Sequence, residues 1–252
     1  MLSYQDCNLY PAYFWQNAEP PDAVGLREVR YITGLYEFLD ELARRHPGLI
    51  LDNCASGGRR LDFEMMRRCV VLWRSDSCWD APSFPRNVQA MTHGLSLWFP
   101  LHGLGAAATD DTALRSGMGS CASFAINFRD SVAVETLRRH LVRYGKVRHL
   151  FTQDYYPLTP WTADATRLLA FQFHDPASGE GLVQVFPGSA ATERNMRLRL
   201  RGLDPAVSYT FTDWDGDSDR AEFNGAELTD TGLPVRIRRD QEALVLEYGP
   251  SR

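Results

Sequence analysis

Two aspartates and one glycine-bearing loop stand at the ends of short apolar runs. Asp6 closes Ser3-Tyr4-Gln5-Asp6 and is followed by Cys7-Asn8. Leu49-Ile50-Leu51 runs into Asp52-Asn53-Cys54-Ala55-Ser56-Gly57-Gly58-Arg59-Arg60-Leu61-Asp62. Val70-Val71-Leu72 runs into Trp73-Arg74-Ser75-Asp76. Carboxylates converging at strand ends are what glycoside cleavage requires, one as nucleophile and one as proton donor. Glycines in the intervening loop let the backbone approach a hydroxyl closely.

Such residues need strands to present them. Short apolar runs followed by polar, Gly-rich segments read as buried parallel strands, and sites in α/β sheets form beyond their carboxyl ends. Ile32, Leu35, Tyr36, Leu39 and Leu42 fall on one face of a helix over 26–45, which His46-Pro47-Gly48 stops. The spacing predicts further helices over 61–69, 84–94, 112–121 and 132–144. It predicts further strands over 95–101 and 124–128. The aromatic, Pro-bearing stretch 10–21 reads as a loop able to wall a sugar. Short strands alternating with helices make about five strand–helix units of a parallel sheet, short of the eight that close a (β/α)8 barrel.

After Pro160 the periodicity changes. Short strands at 168–173, 181–186, 196–201, 209–212, 235–238 and 243–248 are separated by turn signals such as Pro187-Gly188 and Asn224-Gly225. They predict an antiparallel β-sandwich. The expected fold class is therefore α/β plus β, with a partial barrel over 1–152 and a sandwich domain over 153–252. Asp213 to Asp219 resembles a Ca²⁺ loop but lacks its closing Glu, and reads as a solvated hairpin tip.

The chain has 252 residues, 44% apolar, with a formal charge of −5. That balance suits a globular fold and gives no reason to expect nucleic acid or an anionic membrane as partner. No apolar run is long enough to span a bilayer. Five cysteines without metal-site spacing read as reduced thiols in a cytoplasmic setting. Neither a metal nor a cofactor is expected.

The constellation resembles the α-galactosidases and raffinose synthases of glycoside hydrolase family 36. Asp6-Cys7-Asn8 matches their Asp-x-Asn nucleophile element. Cys54 to Asp62 matches their Cys-x-x-Gly-Gly-x-Arg-x-Asp loop, and Trp73 to Asp76 their Trp-x-Ser-Asp acid/base element. The order matches, with 48 residues from Asp6 to Cys54 and 22 from Cys54 to Asp76. The likeness continues through Asp154-Tyr155-Tyr156-Pro157 to the chain end, over the carboxyl-terminal part of the family's architecture.

The resemblance implies a retaining hydrolase of terminal α-galactosides. Asp6 is then the nucleophile and Asp76 the acid/base, about 5–5.5 Å apart. Asn8, Cys54, Gly57, Arg60 and Trp73 are the implied sugar-binding positions, with Cys54 on the loop rim. Asp76 is expected to be kept protonated by burial or by the Asp6 charge. Tyr4 stands where the family commonly carries Lys or Arg, which weakens sugar binding. Three barrel strands and an amino-terminal β-domain of the family have no counterpart here. The expectation is a truncated chain, inactive or nearly so alone, able to associate with copies of itself through exposed barrel edges. The same two carboxylates would serve a transglycosylase of the raffinose-synthase kind. A non-catalytic fragment with weak sugar binding is the reading from a different class.

Overall fold

The computed structural model describes residues 2–5, 11–76, 84–216 and 220–251. The chain divides into two compact units, Met1–Asp76 and Ser77–Arg252.

In the first unit, β1 (Leu2–Gln5) pairs in parallel with β2 (Ile50–Asn53), Tyr4 opposite Asp52 and Gln5 opposite Asn53. Next, β2 pairs with the two-residue β3 (Leu72–Trp73) through Asn53 and Leu72. The stretch read as an aromatic loop is largely a helix, α1 (Pro11–Ala18). Pro11 sits at its first position, where proline's fixed φ suits a helix and its missing N–H costs nothing. The long helix α2 (Leu26–Arg45) follows. Gly25, at φ 94°, turns the chain into it, and the Glu19 carboxylate accepts from the Gly25 and Arg27 amides to cap its start. At the start of α3 (Phe63–Met66), Asp62 accepts from the Met65 amide at 2.8 Å. Arg68 bonds Asp40 of α2 and Glu64 of α3 and lies 4.6 Å from the Tyr36 ring centroid, so it ties the two helices together.

In the second unit, α4 (Phe84–Leu95) precedes β4 (His102–Ala106). The strand expected at 95–101 is absent. That stretch is a helix end, with the Trp98 and Phe99 amides donating to the Leu95 carbonyl, and Phe99 is fully buried. The strand begins at His102 instead. After α5 (Asp111–Ser116), β5 (Cys121–Phe124) pairs in parallel with β4 from Gly103–Cys121 to Ala106–Phe124. Asp130 caps α6 (Ser131–Val147), accepting from the Val132 and Ala133 amides.

From Asp154 onward the described pairings are antiparallel. The strands are β6 (Asp154–Pro157), β7 (Leu168–His174), β8 (Gly181–Pro187), β9 (Asn195–Leu198), β10 (Ser208–Asp213), β11 (Arg220–Asn224), β12 (Leu233–Arg236) and β13 (Leu244–Pro250). Six form one sheet in the order β11-β10-β13-β8-β7-β6, and β12 and β9 form a second. Alternate residues serve two cores. Ala170, Val183, Val185, Leu244 and Tyr248 face Leu198, Leu233 and Val235 of the small sheet. Leu169, Phe171, Phe173, Leu182 and Val245 face Val147, Leu150 and Phe151 at the end of α6. A strand covered on both sides must be apolar throughout, which is why β7 and β8 are near-continuous hydrophobic runs. The described part of 167–248 holds one helix, the six-residue α7 (Gly225–Asp230), capped by Asn224.

The expected division at residue 152 marks where strand pairing turns antiparallel. The division into compact units falls elsewhere, at 76–77, because α6 and the turn after it share a core with the antiparallel sheet. Nor is the Asp-rich run simply a solvated tip. Asp215 accepts from both Arg115 terminal nitrogens, at 2.5 and 2.6 Å, and from Gln241.

Candidate active site

The first unit carries the loop and both expected catalytic aspartates, of which Asp76 lies among the described residues. The loop leaves β2 at Asn53 and turns back through three successive positive φ angles: Ser56 at 49°, Gly57 at 67° and Gly58 at 101°. Side chains resist that region, so the two glycines are required by the backbone. They are required by space as well. A Cβ on Gly57 would lie 2.2 Å from the Asp76 amide nitrogen and 2.9 Å from Asp76 Cγ. One on Gly58 would lie 2.4 Å from the Arg74 carbonyl oxygen. The loop thus lies directly on the segment that ends in Asp76. Val71, just before β3, also has positive φ, 80°. A β-branched residue there is strained, and such strain persists where surroundings over-determine the backbone.

The expected residues are distributed unevenly. Gly57 and Asp76 are brought into contact, and Asp76 is exposed. Cys54 was expected on the rim but is buried, together with Ala55, while Ser56, Gly57 and Gly58 are partly exposed. Arg60 points its guanidinium at Asn53 Oδ1 and the Tyr31 hydroxyl, each at 3.0 Å, and so braces the loop against α2. Trp73 is half-buried, and its indole N–H donates to Asp52 Oδ1 at 2.8 Å. Asp6 and Asn8 lie outside the described residues, so the expected carboxylate separation does too.

Two acidic side chains beyond the expected set acquire roles. Asp62 is taken up capping α3. Asp52 accepts the Trp73 bond, and burial pushes its carboxyl above the usual range while that bond pulls it back. Burial also pushes the Cys69 thiol up, to about 11, so it stays protonated at neutral pH. Ala55 and Arg60 of the loop join Trp15, Tyr31, Tyr36 and Met65 around a cavity of about 350 Å³. Among the described residues no group of His, Cys, Asp and Glu is arranged to hold a metal ion, and no helix is long and apolar enough to cross a membrane.

A glycine loop laid on an aspartate-bearing strand end, with an antiparallel domain following in the sequence, can be set beside known proteins. Among family models, Melibiase matches residues 17–134, and the glycosyl hydrolase family 36 C-terminal domain matches 168–247. Alpha-galactosidase 1 of Pediococcus pentosaceus is 26% identical over 90% of this chain and 32% of its own length. Alpha-galactosidase AgaA of Geobacillus stearothermophilus is 26% identical over 92% of this chain and 32% of its own. Among solved structures, the alpha-galactosidase from Lactobacillus brevis superposes with a TM-score of 0.82 at 17% identity, covering 100% of this chain and 36% of that one. The GH36 alpha-galactosidase AgaA superposes at 0.80 and 23% identity, covering 99% and 35%. The chain is a relative of the family 36 α-galactosidases, with the fold of the carboxyl-terminal part of their architecture: part of a (β/α)8 barrel, then an antiparallel β-domain. It spans about a third of the length of these relatives.

Proposed function

We propose that the chain carries the catalytic carboxylates of a retaining α-galactosidase, with Asp6 as nucleophile and Asp76 as acid/base. The observation that carries this reading is the contact of Gly57 with Asp76, which joins the sugar-loop motif and the acid/base motif into one site. The exposure of Asp76 leaves its carboxyl accessible to a glycosidic oxygen. In such a mechanism Asp6 attacks the anomeric carbon and Asp76 protonates the leaving oxygen. Asp76 then takes a proton from the incoming water. The names of the relatives support galactose as the sugar.

Catalysis needs carboxylates held in place by their surroundings. Five strand–helix units leave part of a barrel mouth unbuilt, so this chain alone is expected to hydrolyse α-galactosides weakly or not at all. The test is hydrolysis of p-nitrophenyl α-galactoside by residues 1–252, alone and joined to the barrel segment that precedes the equivalent region in a relative. Activity of the joined protein should fall at least about 10³-fold in Asp6→Ala and in Asp76→Ala, since removing the nucleophile or acid leaves only binding and electrostatic terms. Gly57→Ala, which forces the loop off Asp76, should cost about as much. Retained activity in Asp76→Ala would overturn the assignment.

A further inference from the structure

Asp52 sits in β2 between two residues whose side chains are buried, Leu51 and Asn53. Strand alternation therefore turns Asp52 to the opposite face. Trp73, in the next strand, meets Asp52 there: its indole N–H bonds Asp52 Oδ1 across 21 residues of sequence. Trp73 is three residues from Asp76, on the strand that delivers it.

A half-buried tryptophan needs a partner for its N–H, and any nearby oxygen would satisfy that need. A carboxylate does more, because charge-assisted bonds are shorter, stronger and more directional than neutral ones. A water molecule or a serine would leave the ring several orientations. The carboxylate, anchored in a strand, selects one. Burial makes keeping a charge at Asp52 costly, and its carboxyl is raised accordingly. A carboxyl placed there merely to satisfy one N–H is an expensive choice when an amide would serve.

We propose that Asp52 is a positioning residue: it fixes the Trp73 indole as the wall of the sugar site beside Asp76. The role given to Trp73 rests on the glycosidase reading above; the Asp52–Trp73 link rests on the structure alone. Asp52 itself touches no substrate. Its effect reaches the sugar through the tryptophan ring, so binding should follow the strength of the hydrogen bond. Asp52→Asn keeps an oxygen acceptor at the same place, and Asp52→Leu removes the acceptor at similar volume.

The experiment has two readouts. The first is the Trp73 indole N–H resonance in ¹H–¹⁵N spectra, assigned by its loss in Trp73→Phe. Its hydrogen exchange should quicken about tenfold in Asp52→Leu and by less than about threefold in Asp52→Asn, the difference expected when a charge-assisted bond is lost or replaced by a neutral one. The second is the dissociation constant for p-nitrophenyl α-galactoside, measured on the joined protein described above. It should rise about tenfold in Asp52→Leu and stay within about threefold in Asp52→Asn, in step with the indole signal. Far-UV circular dichroism confirms that both variants keep their secondary structure. Unchanged indole exchange in Asp52→Leu overturns the link. Equal loss of galactoside binding in both variants overturns positioning through the tryptophan. An intact, Asp52-dependent indole signal in a joined protein that binds no galactoside overturns the glycosidase reading and the wall role with it, while the link itself stands.

Discussion

The unit that carries the candidate site and the antiparallel sheet that follows bury their apolar residues very differently. In α2, twenty residues long, Leu39 is the one buried side chain; Val29 is 61% exposed and Phe38 52%. In β7, β8 and β13, Leu169, Leu182 and Val245 are wholly buried. The sheet satisfies itself at its centre, where β7 and β8 are covered on both faces by parts of the same unit. The site-bearing unit instead leaves Leu26, Val29, Tyr31, Ile32 and Phe38 of one helix exposed. The candidate site thus sits on the less self-sufficient scaffold, and the tightest packing on the other.

The sharpest way to break that contrast is to attack the self-sufficient unit at its most buried charge. Arg115 is 3% exposed. It holds Asp215 through both terminal nitrogens and the Ala243 carbonyl at 2.7 Å, joining α5 to the turn after β10 and to β13. Arg115→Ala leaves the half-buried Asp215 carboxylate without its main partner and should cost about 3–5 kcal/mol. Urea unfolding of the second unit would show it. A loss below about 1 kcal/mol would mean that the sheet does not depend on this lock.

The second effect is a pH dependence of the same unit. His140 of α6 packs against Phe124, Tyr144 and Trp214, and its Nε2 has no hydrogen-bond partner among the described residues. Burial, then Arg115 and Arg143, lower its pKa from 6.5 to about 4. The unfolded chain therefore takes up a proton that the folded chain refuses over the window between those values. Stability is complete above about pH 6.5, falls as the pH drops toward 4, and levels off below. The full loss is about 3 kcal/mol. Unfolding at pH 7 and pH 5 should differ in the parent and much less in His140→Phe. An equal pH dependence in both would place the titration elsewhere.

How much of this was legible beforehand depended on distance along the chain. The strand after Leu49, the long helix and the antiparallel change were readable because period and turn residues are local signals. β4 was not, because His-Gly-Leu-Gly-Ala has little side-chain preference for a strand and Phe99 beside it looks more strand-like. Proline and aromatics made α1 look like a loop, although Pro11 only marks its first position. Asn224-Gly225 read as a turn signal between strands and proved to start a helix, with Asn224 as its cap. At the site, the motifs singled out Gly57 and Asp76, and the structure adds their contact. The Asp52–Trp73 bond and the Arg115–Asp215 pair cross 21 and 100 residues and have no local signature. The motif also suggested that Arg60 grips a sugar, whereas its guanidinium is engaged by Asn53 and Tyr31.

The smallest expected effect is also the most direct measure of how bare the site-bearing unit is. Phe38 and Leu39 are neighbours on α2, one half-exposed and one 2% exposed. Serine and phenylalanine have similar helix propensities, so Phe38→Ser isolates packing from backbone preference. If the α2 surface is as open in solution as in the fold, that change should shift stability by no more than about 0.5 kcal/mol. Leu39→Ala, which empties a filled site, should cost about 2–5 kcal/mol. Both are read from urea unfolding followed by circular dichroism. A cost above about 2 kcal/mol for Phe38→Ser would show that something covers this face. If that cost grew with protein concentration, the cover would be a second copy of the chain, since only association makes stability depend on concentration. In that case the contrast between the two regions would belong to the isolated chain and vanish in the assembly.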